Sequence, residues 1–395
     1  MSHSLNDYLT AKSHFLAANR LDEAVRLIAT MSSALKRIGF WQEGLYFVRE
    51  LRAYELALPE TYAALLPIEQ LELLKQEAHF MTLLGEVQDS IPKYQQALHL
   101  ARQTENLEEE AIVLDGLGSA YSQLGDVRKA IAHYEQACRL FHSIDDERGE
   151  SGVLGNLGLA YMQLGEVHKA IEYYEQVLPI FRNTGDIRTE GHTLGNLGLA
   201  YTRLGEMHKA IECYEKSIPI FRTVGDVAAE AADLSNLGNV HSRLGDLHKA
   251  IDYYEQALII CRMIGNKHGE GAALGNLGNA YSQLGNPRKA IEHHEQAIPI
   301  FRAIGDKRGE SNDLGNTAVA YDKIGDTNTA IRFMILASVI KQAILDPYIH
   351  HLMAWLTVRR QTVGEDAFDT IVASVCEQEQ IDAASYRALL AQYGV

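Results

Sequence analysis

Asparagine stands at Asn156, Asn196, Asn236, Asn276 and Asn316, one every forty residues, and Asn239 and Asn279 follow three residues after two of them. Arg203, Arg243 and Lys323 stand seven residues after Asn196, Asn236 and Asn316. Spacings of three and seven keep these side chains on one face of a helix. A carboxamide both donates and accepts, so a ladder of them can pair with the backbone of an extended peptide, and a guanidinium can grip a carboxylate through two parallel bonds. The same ladder can instead bridge each unit to the next and set their spacing, and a polar ladder can serve both purposes. Gly155, Gly195, Gly275 and Gly315 precede four of the asparagines. Each costs about 0.5–1 kcal/mol relative to alanine inside a helix, which close approach of a ligand backbone or tight packing of the next helix would explain.

These side chains act together only if a repeated element positions them. Gly85, Gly125, Gly165, Gly205, Gly245, Gly285 and Gly325 form a forty-residue series without insertion or deletion. Such a fixed period means one supersecondary unit stacked on copies of itself. The units start at Leu71, Ala111, Ser151, Gly191, Ala231, Gly271 and Ser311. In the text LGNLGLAY, Leu154, Leu157, Gly158 and Tyr161 fall on one helical stripe, which predicts a first helix, A. The glycine of the series ends it in a left-handed conformation. Asp126, Glu166, Glu206 or Asp246 then opens a second helix, B, whose small alanine (Ala170, Ala210, Ala250) admits helix A closely. Gly185, Gly225, Gly265 and Gly305 end helix B.

This pattern of leucine, glycine, tyrosine and alanine resembles the tetratricopeptide repeat in a lengthened form, over residues 71–345. The LGNLG text is similar to that of Partner-of-Inscuteable-type adaptors and of the sensor arrays of bacterial signal-transduction ATPases, and AVAYDKIGD with ILDPY resembles the latter more. No GxxxxGK[ST] phosphate cradle occurs in the 395 residues. The resemblance implies an all-α fold, a right-handed superhelical solenoid of stacked antiparallel helix pairs. It also implies that helix A lines a concave groove, with the asparagine before the second leucine facing a ligand's backbone or terminal carboxylate.

Residues 1–70 are expected to form an N-terminal helical cap of degenerate units, with helices near Leu5–Ala18, Leu21–Arg37 and Trp41–Leu58 and a break near Pro59 and Pro67. Residues 71–345 carry the seven units. Residues 346–395 are expected to form a C-terminal helical cap, its apolar face supplied by Met353, Trp355, Leu356, Phe368 and Ile371.

With 36 basic and 52 acidic residues, the net charge of −16 opposes nonspecific attraction to nucleic acid. No apolar run long enough to span a bilayer and no signal-peptide pattern occurs, so a soluble, cytoplasmic chain without membrane association is expected. Cys138, Cys213, Cys261 and Cys376 lack CxxC spacing and read as reduced, structural cysteines.

Other chemistries have plainer explanations. His168, His208 and His248 repeat with the period, but neighbouring units lie roughly 10 Å apart, too far to share one metal at about 2 Å. His293 and His294 point in different directions on one helix. No GxSxG elbow is present, and Glu150, Glu190, Glu230, Glu270 and Glu310 read as a helix-start signal and a solvated edge. Pro179, Pro219 and Pro299 inside helix B are expected to kink it and curve the stack. Neither a reaction, a metal nor a cofactor is implied. The expected function is a scaffold or adaptor that binds a protein or an extended, acidic peptide segment in its groove; the alternative is a sensor that changes superhelical pitch on binding a peptide or small ligand.

Overall fold

A computed structural model describes residues 23–27, 35, 41–57 and 67–395. The expected helix Leu5–Ala18, most of Leu21–Arg37, and Pro59 lie outside the described residues. Every described regular element is an α-helix. The chain divides into two compact units, Met1–Asp186 and Ile187–Val395.

In the first unit, α1 (Trp41–Ala57) packs on α2 (Pro67–Leu83), so Pro67 opens a helix rather than interrupting one. Three hairpins follow in sequence order: α2 with α3 (Val87–Gln103), α4 (Leu107–Gln123) with α5 (Val127–Ser143), and α6 (Glu147–Leu164) with α7 (Val167–Thr184). The second unit continues the same register. It pairs α8 (Ile187–Leu204) with α9 (Met207–Val224), α10 (Val227–Arg243) with α11 (Leu247–Met263), α12 (Lys267–Gln283) with α13 (Pro287–Ile304), and α14 (Lys307–Lys323) with α15 (Thr327–Ala343). It ends in α16 (Ile349–Val363), α17 (Glu365–Gln378) and α18 (Ala383–Gln392).

Five of the seven hairpins, from Gly118 under Tyr134 to Gly278 under His294, close around an aromatic ring of helix B seated on a glycine of helix A, while the first and last hairpins place Ala78 and Ala318 there. A Cβ at Gly198 would stand 2.7 Å from the Tyr214 ring, and one at Gly238 would stand 2.6 Å from the Tyr254 ring, so only glycine lets these helices meet. Leu234, Leu237 and Val240 of α10 and Ala250 of α11 are buried around that contact; each fully buried leucine contributes roughly 2 kcal/mol.

The turns follow the backbone even where the sequence departs from glycine. Gly185, Gly225, Gly265 and Gly305 take φ of 70–75°, and in the other copies Glu105, Asp145 and Leu345 adopt the same left-handed conformation at 53–56°. Packing of the flanking helices thus outweighs a strain of about 1 kcal/mol. At the start of helix B, Asp126 and Asp246 accept from the amides of Lys129 and Lys249. Glu166 and Glu206 make no such bond. Their extra methylene carries the carboxylate past the amide, and each pairs with Lys169 or Lys209 at 2.6 Å. Helix B runs unbroken through Pro179, Pro219 and Pro299.

The five repeated glutamates stand in the first turn of helix A as expected, but three of them are not a solvated edge. Glu230, Glu270 and Glu310 are buried at the junction between helix B and the next helix A. They accept from Nε of Arg222, Arg262 and Arg302 at 2.6, 2.9 and 2.7 Å. The arginines stand eight residues upstream, across the turn, so each pair clamps one repeat to the next.

At the C-terminal end, Met353, Leu356 and Phe368 are buried against Ala318, Ile331, Met334 and Ile335 of the last hairpin, with Trp355 and Ile371 partly buried beside them. The Tyr386 hydroxyl meets that of Ser338 at 2.9 Å, and Nε of Arg359 donates to Asp322 at 2.9 Å. No described helix is long and apolar enough to cross a membrane.

Candidate functional site

Within the second unit the A helices touch in order: α8 with α10, α10 with α12, and α12 with α14. Their shared face carries a groove of about 530 Å³ lined by Asn236, Asn239, Arg243, Asn276, Asn279 and Lys323. Leu199, Thr202, Ser242, Ser282 and Gln283 complete the wall, and Tyr214 and Tyr254 reach it from helix B. Six of the ten residues singled out from the sequence therefore meet in one place. Asn316 lines an adjoining cleft with Asn276 and Asn279. Asn156 lines a separate hollow in the first unit beside Asp115 and Arg148. Asn196 is half-buried and Arg203 exposed on α8; neither lines the groove.

The ladder is split between structure and availability. Nδ2 of Asn156 donates to Asp115 at 2.8 Å, and Nδ2 of Asn316 donates to Asn279 at 3.0 Å, both bridging one repeat to the previous one. Asn239 accepts from the Tyr254 hydroxyl at 2.8 Å. The cations also reach back: Nη1 of Arg243 donates to the Thr202 carbonyl at 3.3 Å, and Nζ of Lys323 to the Ser282 hydroxyl at 3.0 Å. In contrast, the side chains of Asn236 and Asn276 make no hydrogen bond to any described residue. Their amides stand one repeat apart on the same wall with donors and acceptors unused.

Beneath the ladder lies a row of buried acids that sequence reasoning passed over. A Cβ at Gly195 would stand 2.8 Å from the carboxylate of Asp233, and one at Gly275 would stand 3.0 Å from that of Asp313. The next repeat therefore accounts for these two helix-interior glycines, whereas a Cβ at Gly315 would meet nothing within 4 Å. Asp233 accepts from the Ser217 hydroxyl. Burial pushes its carboxyl up to about 6, opposed by that hydrogen bond. Asp313 is hydrogen-bonded to Nδ1 of His294 at 2.7 Å, and burial likewise raises its carboxyl against the pull of that bond. His294 stands where other copies place a tyrosine, a substitution visible in the sequence once the register is known.

The raised Asp233 carboxyl favours folding while protonated. That contribution is complete below the ordinary aspartate range and is lost as pH rises through about 6. Asp233→Asn keeps an acceptor for Ser217 without the buried charge. It is expected to raise stability at pH 7 by about 2 kcal/mol and to leave it unchanged near pH ~3.5, as read by denaturant melts at the two pH values.

A larger cleft of about 750 Å³ opens where the last hairpin meets α16. Its wall includes Arg308, Asn312, Lys341, Tyr348 and Trp355, none of them in the expected site. The signal was present in the register: Lys341 occupies the position held by Phe141, Phe181, Phe221 and Phe301 in other copies.

The sequence profile of the tetratricopeptide repeat matches residues 69–142, 150–223 and 229–303. No curated protein sequence matches the chain. Among solved structures, the chain is similar to a Signal Transduction ATPase with Numerous Domains that carries a tetratricopeptide repeat sensor, from Pyrococcus horikoshii. The TM-score is 0.61 and the identity 20%, over 89% of this chain and 54% of that one. It is also similar to the apo form of the quorum sensor NprR from B. thuringiensis, with TM-score 0.60 and 15% identity over 85% of this chain and 98% of that one. A third is a Rap protein complexed with competence and sporulation factor, with TM-score 0.56 and 17% identity over 94% and 99%. The repeated hairpins, their glycine-seated rings and the profile matching more than half of the chain agree: the chain belongs to the tetratricopeptide repeat family.

Proposed function

We propose that the chain is a protein-binding scaffold whose A-helix groove in the second unit takes an extended, acidic segment of a partner. The observation that carries this reading is the pair of unbonded amides, Asn236 and Asn276, on one groove wall with Arg243 and Lys323 at its edge. Paired amides one repeat apart suit a backbone that runs along the stack, and the cations favour carboxylates despite the net charge of −16. Leu199 offers an apolar contact beside them. No catalytic role is proposed.

The test uses an acidic peptide selected on the protein from a random library. Asn236→Ala with Asn276→Ala should weaken it about tenfold at every salt concentration, because neutral hydrogen bonds are screened little. Arg243→Ala with Lys323→Ala should weaken it more at ~50 mM than at ~500 mM salt. Wild-type affinity in both double variants would remove the groove assignment.

A second reading is favoured by the sensors among the similar structures: a ligand-responsive element of a bacterial signalling system. It requires two shapes of different ligand affinity. Small-angle scattering with and without the selected peptide separates the two, since a static scaffold keeps one profile.

A further inference from the structure

Arg308 departs from the pairing made at two copies of its repeat position. Arg188 pairs with Asp226, and His268 stands 3.6 Å from Asp306, each thirty-eight residues ahead at the start of the next A helix. The same step from Arg308 leads to Asp346. That carboxylate is taken: Nζ of Lys341 donates to it at 2.9 Å and the amide of Tyr348 at 2.8 Å. The Lys341 bond, then the Tyr348 amide, hold the Asp346 carboxyl below the usual range, and the charge of Arg308 adds the smallest of these pulls. Lys341 can do this because it replaces the phenylalanine of other copies and lies buried, with Asn312 as its second partner at 3.0 Å. Arg308 is left exposed on the wall of the 750 Å³ cleft, with no side-chain hydrogen bond or ion pair to any described residue.

We propose that this cleft is a binding site for a carboxylate borne next to a flat apolar group, with Arg308 as the partner of the carboxylate and Trp355 and Tyr348 as walls for the apolar part. A cleft of this volume suits a small ligand or one residue of a chain. The two buried or bonded acids nearby, Asp313 and Asp346, disfavour a doubly charged anion such as phosphate, whereas a single carboxylate replaces the partner that Asp346 withholds. Tyr348 is 63% exposed with His351 stacked on it, and Trp355 is half-buried with the Arg359 guanidinium over its ring, so what a ligand would cover is the ring surface these neighbours leave exposed. The site uses the far end of the A-helix face and shares Asn276 and Asn279 with the groove at Asn236, whereas Arg308, Tyr348 and Trp355 line the cleft alone.

The test titrates the full chain with N-acetylphenylalanine and with its carboxamide, following tryptophan fluorescence, Trp355 being one of two tryptophans. The acid is expected to bind at least tenfold more tightly than the amide. Arg308→Gln should bring the acid to the level of the amide, and Trp355→Leu should weaken both. Asn236→Ala should leave all three measurements unchanged, so that a failed groove and a failed cleft are told apart. Comparison with 3-phenylpropionate separates the two sources of this chemistry: equal affinity points to a small aromatic acid, preference for the acylated residue to a chain terminus. Equal binding of acid and amide, unchanged binding in Arg308→Gln, or no binding of the acid in the millimolar range overturns the proposal.

Discussion

A chain ending at Asp346 is expected to aggregate and to melt at a lower temperature than the 395-residue chain. α16–α18 bury Met353, Leu356 and Phe368 to 1% exposure or less against the last hairpin. At about 2 kcal/mol for each such side chain, their loss removes roughly 6 kcal/mol of burial. The loss is two-sided, because Ile331, Met334 and Ile335 of α15, now at most 3% exposed, face water in the shortened chain. A contiguous apolar patch of that kind drives association. The Ser338–Tyr386 contact and the Arg359–Asp322 pair go with it. Size-exclusion chromatography and thermal melts check this: a shortened chain that remains monomeric with an unchanged Tm contradicts it.

The clamp around Glu310 carries the second large effect. Its carboxylate, 2% exposed, accepts from Arg302 at 2.7 Å and Lys307 at 2.9 Å. Burial alone would raise this carboxyl; the Lys307 and Arg302 bonds outweigh burial and hold it below the ordinary glutamate value. The pair therefore stabilises the fold at pH values above that ordinary value, and its contribution disappears as pH falls through the depressed one. Replacing both cations, Arg302→Met with Lys307→Met, leaves a buried charge without a partner. The expected cost at pH 7 is about 2–3 kcal/mol, less than for a fully enclosed pair because both cations reach solvent. The deficit narrows below pH ~4, where the stranded carboxyl takes a proton. Denaturant melts of both proteins from pH ~3.5 to 7 check the size and the direction; a deficit that grows toward acid contradicts it.

The hairpins were legible because the same glycine does the same steric work every forty residues. Gly198 under Tyr214 and Gly205 at the turn are local necessities, and a local necessity repeats in the text. Partnerships between repeats were less legible. Asn156 and Asn236 share a register position, yet one is bonded to Asp115 of the preceding unit and the other is unbonded, because the residue forty-one places upstream differs between them. The glutamates misled for a related reason: an acidic residue near a helix start reads as exposed until its arginine, eight residues earlier and across a turn, is placed beside it. Lys341 could have been found from sequence, since a lysine in a column of phenylalanines marks a departure at a packing position. Its role in leaving Arg308 without a carboxylate depends on how far the side chain reaches, which spacing does not give.

Partners are expected to lie along the A-helix face of the second unit. Photo-crosslinking residues introduced singly at Leu199 and Val319, which line the groove and its adjoining cleft, and at Met263, 68% exposed on α11, test it with the selected acidic peptide. Crosslinks from positions 199 and 319, competed by unlabelled peptide, with none from 263, are the predicted result. Crosslinking from 263 with silence at 199 and 319 contradicts the account.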